Sequence, residues 1–329
     1  MGLLLTVVMV FLTDSSRFYF VDLDSFDQFQ VGDARIEPFS VTGSCNGLVL
    51  LTPNSGDIIL WNPAIRKQLK LAAQPPIPHR FIRDEAIFAL GYDSEHDDYK
   101  VVSVNQAAND KDGNTFTTET MIYSLKSNSW KKAKDFPYLL PHHTSRWGIY
   151  LNGALHTVVK HGRNPEMVIM SFDLGKEEHL EIPLPEHSNA AIRGVESLEV
   201  LVGCLAAVVP GKKCGTDIWL MKEYGVKQSW MKLLQLDPPL LGGLRPLAYS
   251  KSGGEVLLND DGMCLSWYDL KKKTVARARV SAWFKSKAVE PFSDTEVVVG
   301  SLVWPCVKEH NGPRKGVKEM KIKKGKVVC

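Results

Sequence analysis

The chain has 329 residues and 36.7 kDa, with 44% hydrophobic and 23% charged residues, an ordinary globular mix that excludes a disordered, collagenous or coiled-coil protein. Its net charge of +3 hides an asymmetry: Val307 to Cys329 carries eight basic residues against Glu309 and Glu319, which leaves 32 basic and 35 acidic groups in the rest. The body therefore lacks the basic surplus of a dedicated nucleic-acid binder, and no nucleic-acid or membrane partner is expected.

The first element is the apolar run Leu3–Leu12, too short to span a bilayer and without a basic segment before it or a small-residue cleavage site after it. It reads as a buried strand or helix segment, and residues 1–16 are set apart as an apolar remnant from a domain over 17–306 and a basic, disordered tail over 307–329. The tail is read as a solubilising extension, with nuclear import or polyanion binding as its alternative. Six cysteines are scattered without a CxxC pair, which implies neither a disulfide framework nor a zinc site and favours a reducing compartment, cytoplasmic or nuclear or both.

Short runs of Val, Ile, Leu, Tyr and Trp then alternate with Gly, Pro, Asn and Asp clusters, the signal for many β-strands. Gly43 and Gly47 bracket a turn into a strand that contains Asn46, and a hairpin around Asn54-Ser55-Gly56 follows. Trp61-Asn62-Pro63 reads as a strand end, where Pro stops the ladder and Asn bonds its own backbone two residues on. Asp93, Glu95, His96, Asp97 and Asp98 resemble a metal cluster but lack the EF-hand glycine and terminal Glu, so they read as a solvated hairpin turn. Asn105 to Thr117 reads as a long mobile loop.

The connection carrying His142, His143, Arg146 and Trp147 has residue types suited to a partner-binding hot spot, with a plain loop as the alternative; adjacent histidines on an extended chain face opposite ways and make a poor metal pair. Asn152-Gly153, between two apolar runs, predicts a type I′ hairpin. His156 beyond it reads as a residue of the pleated face, not a ligand. Gly162-Arg163-Asn164-Pro165, Ser252-Gly253-Gly254 and Asp260-Asp261-Gly262 mark further turns.

Aligning strand ends exposes a repeat. Phe20-Val21-Asp22-Leu23, Leu60-Trp61-Asn62-Pro63, Ile122-Tyr123-Ser124-Leu125, Ser171-Phe172-Asp173-Leu174, Ile218-Trp219-Leu220-Met221 and Trp267-Tyr268-Asp269-Leu270 recur at intervals of 40, 62, 49, 47 and 49. A period near 50 fits four-stranded blades, so the expected fold is all-β: a kelch-like β-propeller of six blades, the first closed by strands from both chain ends, Arg17–Val21 and Thr295–Val303. A sandwich or α+β arrangement is the alternative. No nucleophile elbow, phosphate loop, Rossmann fingerprint or zinc signature is present, and Cys45 has no base beside it in sequence, so no catalytic, cofactor or metal residues are assigned.

Gly43-Ser44-Cys45-Asn46-Gly47-Leu48, Leu60-Trp61-Asn62-Pro63, Leu90-Gly91-Tyr92-Asp93 with Asp98-Tyr99-Lys100-Val101-Val102, and Leu151-Asn152-Gly153-Ala154-Leu155-His156 resemble, in that order, the plant F-box-associated interaction domain. The resemblance runs from about Tyr19 to Val303. It implies a non-catalytic, cofactor-free module that recruits a target protein, like the substrate-recognition part of an SCF-type ubiquitin ligase. In that family an N-terminal F-box docks the adaptor Skp1; no Leu-Pro helix-forming segment of that kind precedes the match, so Skp1 docking is not expected. The alternatives are a competitor of full-length relatives and a propeller-fold enzyme. Where the family often has Trp after the Leu-His of the hairpin, this chain has Thr157.

Overall fold

Period-2 alternation and Asn, Asp and Gly turns make antiparallel hairpins the cheapest local structure for this sequence, and strands follow one another along the whole described chain. The structure, a computed structural model, describes the backbone of 8–14, 17–22, 29–32, 39–53, 56–75, 87–108, 116–138, 140, 147–160, 167–185, 194–211, 215–236, 244–260, 264–277, 294–299, 301 and 303–305. In chain order the strands are β1 (Val8–Asp14), β2 (Arg17–Asp22) and β3 (Phe29–Gly32), then β4 (Phe39–Cys45), β5 (Leu48–Pro53), β6 (Ile59–Asn62) and β7 (Lys67–Lys70). Next come β8 (Ile87–Asp93), β9 (Asp98–Ala108), β10 (Phe116–Ser124) and β11 (Ser129–Lys132), and β12 (Ile149–Leu151), β13 (Ala154–Lys160), β14 (Met167–Asp173) and β15 (Glu178–Ile182). They are followed by β16 (Ser197–Leu201), β17 (Cys204–Pro210), β18 (Thr216–Met221) and β19 (Trp230–Leu236), by β20 (Leu244–Tyr249), β21 (Glu255–Asp260), β22 (Cys264–Asp269) and β23 (Thr274–Arg277), and by β24 (Asp294–Val299).

Among the described residues these form six four-stranded antiparallel sheets. Five are meanders of consecutive strands; the sixth has the order β24-β1-β2-β3 and joins the two ends of the chain. The early and late strands expected to share a sheet do so, with β1 between them. β1 itself lies inside the 1–16 segment that the sequence sets apart, so the sheet begins before the expected boundary at 17. The apolar run is used as a strand because β24 and β2 give both of its edges a hydrogen-bonding partner.

The chain divides into two units. One (Met1–Leu71, Leu241–Trp304 and Pro313–Cys329) holds the composite sheet, β4–β7 and β20–β23. Within it β24 lies beside β4 and β20. The other (Ala72–Leu240 and Pro305–Gly312) holds β8–β11, β12–β15 and β16–β19. Here successive sheets pack face to face: Ala89, Val102 and Ile122 meet Leu155, Met170 and Phe172 in one core layer, and Val158 and Ile169 meet Leu198, Leu205 and Ala207 in the next. The middle sheet is buried on both faces, which is why β13 and β14 read as nearly continuous apolar runs instead of strict alternations.

Each of the six sequence marks falls on the third strand of its sheet: Val21 on β2, Trp61 on β6, Tyr123 on β10, Phe172 on β14, Trp219 on β18 and Tyr268 on β22. Trp61, Tyr123, Phe172, Trp219 and Tyr268 are all buried. The expected long loop over 105–117 is shorter than the sequence suggests, because β9 runs on to Ala108 and β10 starts at Phe116. Two polar side chains of these strands bond the link that follows β11: Gln106 donates to the Tyr138 carbonyl at 2.5 Å and accepts from Leu140 N–H at 3.0 Å, and Thr118 donates to the Phe136 carbonyl at 2.8 Å.

Candidate interaction surface

In an antiparallel four-stranded meander the first and third connections lie at one end and the second connection and the exit at the other. The five meanders are asymmetric in this respect. Within each meander one end carries its first and third connections: 46–47 and 63–66, 94–97 and 125–128, 152–153 and 174–177, 202–203 and 222–229, and 250–254 and 270–273. The longest links in sequence follow the last strands of four of the meanders: 71–86, 133–148, 183–196 and 278–293.

The tight-turn end is held by one recurring device. Asn62 accepts hydrogen bonds from Ala64 and Ile65 N–H at 2.9 and 3.3 Å, Asp93 from Glu95 and His96 at 3.0 and 3.1 Å, Asp173 from Gly175 and Lys176 at 2.9 Å each, and Asp269 from Lys271 and Lys272 at 2.9 and 2.8 Å. Each side chain caps a four-residue turn whose last residue is left-handed: Arg66, Asp97, Glu177 and Lys273, with φ between 52° and 58°. Asn62 goes further. It is wholly buried, and its amide donates to the carbonyls of Ser301 and Val303 at 2.9 and 2.7 Å, tying the segment after β24 to the end of β6. The reading of Asn62 as a residue that bonds two positions on holds, with this second bond set added.

The acidic turn at 93–98 is consumed by structure. Lys100, almost completely buried, places its ammonium 2.8 Å from Asp93, 2.6 Å from the Leu174 carbonyl and 3.3 Å from Glu177; His96 sits 2.8 Å from the same Asp93 carboxylate. Burial pushes the Asp93 carboxyl up, but the hydrogen bonds from Lys100 and His96 outweigh it and hold the group below its ordinary range. Burial likewise acts against the Lys100 cation, and Asp93 and Glu177 more than restore it. Gly91 explains itself here: a Cβ would stand 2.4 Å from Leu174 Cδ1 and 2.9 Å from a Tyr150 ring carbon, so only glycine lets the β12–β15 sheet approach β8. Tyr92 donates to Asp97 at 2.6 Å, which pushes its phenol up to about 12, and its carbonyl accepts from Tyr150 at 3.0 Å.

His156 is wholly buried, with Nδ1 at 3.1 Å from the Ile149 carbonyl and Nε2 at 2.6 Å from the Tyr224 hydroxyl. A carbonyl only accepts, so Nδ1 carries the proton and Tyr224 donates to Nε2. Burial pushes the imidazole down to about 4, so it is neutral at physiological pH. Tyr224 thus bridges from the β18–β19 connection onto the β12–β15 sheet. Two tryptophans make equivalent links: Trp130 on β11 donates to the Ala72 carbonyl at 2.8 Å, and Trp230 on β19 to the Pro183 carbonyl at 2.7 Å. The Pro183 carbonyl lies just past β15, the fourth strand of the sheet before that of Trp230.

The sequence-predicted residues therefore separate. Asn152-Gly153 is the expected I′ turn, with φ of 51° and 77° and Leu151 opposite Ala154. Asn46-Gly47 is a second turn of that kind (φ 49° and 82°), while Gly43 lies at a bulge in β4, not at the turn. Trp61 and Pro63 close β6. Cys45 is buried and burial pushes its thiol well up, which removes it as a nucleophile. Of the proposed hot spot, His142, His143 and Arg146 lie outside the described residues, as do 162–165 and 261–262. Trp147 is 2% exposed, packed edge-on against Phe136 at 6.0 Å, and belongs to the core instead of the surface, because its indole fills the layer between two sheets.

Sequence reasoning passed over a set of exposed apolar residues at the tight-turn end of the β16–β19 sheet: Val202, 75% exposed, and Tyr224 and Val226, each 40% exposed. Val202 occupies, with φ 50°, the position filled by Asn46 and Asn152 in the other two-residue turns. Valine is not a turn former, so no composition signal marks it. Gly203 and Gly225 are the only local hints in the sequence.

A turn scaffold of this kind, built on repeated four-stranded sheets, has relatives. The sequence pattern of the family described as the F-box associated beta propeller domain matches residues 10–291. The chain belongs to this family. Among curated proteins of Arabidopsis thaliana, the F-box protein CPR1 is 33% identical over 330 residues, covering 91% of this chain and 77% of the relative. The F-box protein At4g22390 is 28% identical over 288 residues, covering 81% and 69%, and the F-box/kelch-repeat protein At3g23880 is 34% identical over 215 residues, covering 64% and 56%. The fold class of this F-box associated domain is the all-β propeller, and the family points to recognition. Of the residues that carry the sequence resemblance, Asn62, Asp93 and Asn152-Gly153 hold turns, Lys100 pairs with Asp93, and Gly91 lets a neighbouring sheet approach. Among the described residues no helix is long and apolar enough to cross a membrane.

Proposed function

We propose that this domain is a protein-recruiting module with kelch-like sheets, the substrate-recognition part of an SCF-type ubiquitin ligase. It acts in the cytoplasm, the nucleus or both, and uses no cofactor. The reading is supported above all by one observation: four buried polar side chains at the turns and sheet contacts, Asn62, Asp93, Lys100 and His156, hold turns and neighbouring sheets in place. Such a scaffold offers shape, not reactive groups. The long links, including 133–148 with His142, His143 and Arg146, supply the surface for the target, since loops on a rigid frame carry binding.

The test is proximity labelling with the full chain in plant cells, followed by reconstitution with each candidate target. A target that binds the purified chain in defined stoichiometry, and whose abundance rises when the chain is removed, supports the proposal. A screen of the pure protein that finds catalytic turnover, with no target bound, overturns it. A Skp1 pull-down then separates a ligase subunit, which retains the adaptor, from a module that binds targets without it.

A further inference from the structure

We infer that the tight-turn end of the β16–β19 sheet is a second docking surface, for a partner segment that presents a large apolar side chain beside a carboxylate. The inference rests on the protein-recruiting reading and adds a site on connections other than the long links. Three observations carry it.

The first is Val202. A β-branched residue is disfavoured in the left-handed region, and here that conformation exposes an isopropyl group to water. Asn46 and Asn152 show what the same turn uses where only the turn matters. The second is Tyr224, whose ring packs edge-on to His156 at 5.5 Å and whose hydroxyl is fixed on Nε2, so an exposed aromatic is held in one orientation before any partner arrives. A preorganised aromatic loses little entropy on binding. Val226 follows it on the same connection. The 202–203 and 222–229 connections are separated by two strand spacings, about 10 Å, which three extended residues of a ligand would span.

The third observation is charge. Lys222 and Lys227 flank Tyr224 and Val226 on the exposed connection, with Glu223 as its one carboxylate. Next to Tyr224, Asp173 accepts from its own turn amides and pairs with Lys176 at 4.0 Å, so that turn adds no net charge and the basic border of the patch is Lys222 and Lys227. Cations thus border the apolar patch, and a complementary segment carries Asp or Glu beside its apolar anchor.

The probe is a random-sequence peptide library displayed on phage, selected against the full chain; enriched peptides are then synthesised and titrated by fluorescence anisotropy. Enrichment of aromatic or aliphatic residues next to Asp or Glu is expected. The Val202→Asn chain should bind these peptides about tenfold more weakly while melting no lower than the parent, because asparagine suits the turn. Lys222→Glu combined with Lys227→Glu should weaken them to a similar degree, and Tyr224→Phe, which keeps the ring, should weaken them less than Tyr224→Ser. Peptides that bind but are indifferent to Val202→Asn and to the lysine pair overturn this site and leave recruitment through the long links intact. A library that yields no binder overturns this site, while recruitment of a target is decided by the reconstitution described above.

Discussion

At the residue scale, the positions that the sequence marks best are those where backbone geometry leaves little choice. Gly153 has φ 77° with nothing within 4 Å of where a Cβ would be, so its requirement is conformational and not steric. Gly153→Val should therefore cost at least about 1 kcal/mol, seen as a lower thermal midpoint; an unchanged midpoint would mean that the turn tolerates a different geometry. Gly91 is the reverse, a glycine kept by a neighbouring sheet, and no reading of local sequence can supply Leu174 and Tyr150 as the reason. His156 belongs with it. Its partner Tyr224 lies 68 positions away, invisible to any local pattern. The pH consequence follows from the direction of its shift. An unfolded imidazole takes up a proton near the ordinary 6.5 while the folded one resists until about 4, so stability is intact above pH 6.5 and is lost as pH falls from there towards 4. By pH 5 the loss from this group is about 2 kcal/mol. Urea midpoints measured from pH 7.5 to 4.5 should fall less steeply in His156→Asn than in the parent chain.

At the element scale, the rhythm near 50 residues is legible because the third strands of the five meanders each bury a large aromatic residue, and in four of them an Asn, Asp or Ser follows it. The irregular interval of 62 also has a cause: β8, β9 and β10 are longer than β12, β13 and β14, their counterparts in the next sheet, while the links 71–86 and 133–148 are of equal length. Polar composition misleads at 105–108 and 116–117, where Asn, Gln and Thr enter strands, and pattern reasoning cannot see that Phe136, Tyr138 and Leu140 bond Gln106 and Thr118. The hot spot at 142–147 fails at Trp147 for a related reason: an aromatic in a link reads as surface until a core layer is there to receive it. Asn62 tests the turn device directly. Asn62→Ala removes two acceptor and two donor bonds from a buried site and leaves the Ser301 and Val303 carbonyls without them, so a loss of about 2 to 3 kcal/mol is expected. Asn62→Asp keeps the acceptor half but sets a carboxylate against two carbonyls. It should rescue little, and hydrogen exchange at 301–304 should rise in both variants.

At the scale of the whole molecule, the sheet β24-β1-β2-β3 is where the two ends of the chain meet, with Val10 opposite Val297 and Phe11 opposite Glu296. A sheet closed in this way depends on strands almost the full chain length apart, and the apolar run at 8–14 needs both neighbours to satisfy its backbone. Deleting 294–329 would leave one edge of β1 unpaired, an apolar edge strand with no device to keep other chains off it. That truncated chain is expected to lose cooperative unfolding and to aggregate on size-exclusion chromatography at concentrations where the full chain does not. Deletion of 307–329 alone, which keeps β24 and the carbonyls held by Asn62, should leave the melting transition where it was. A monodisperse, cooperatively melting 1–293 chain would show that β24 is dispensable and that β1 is held by β2 alone.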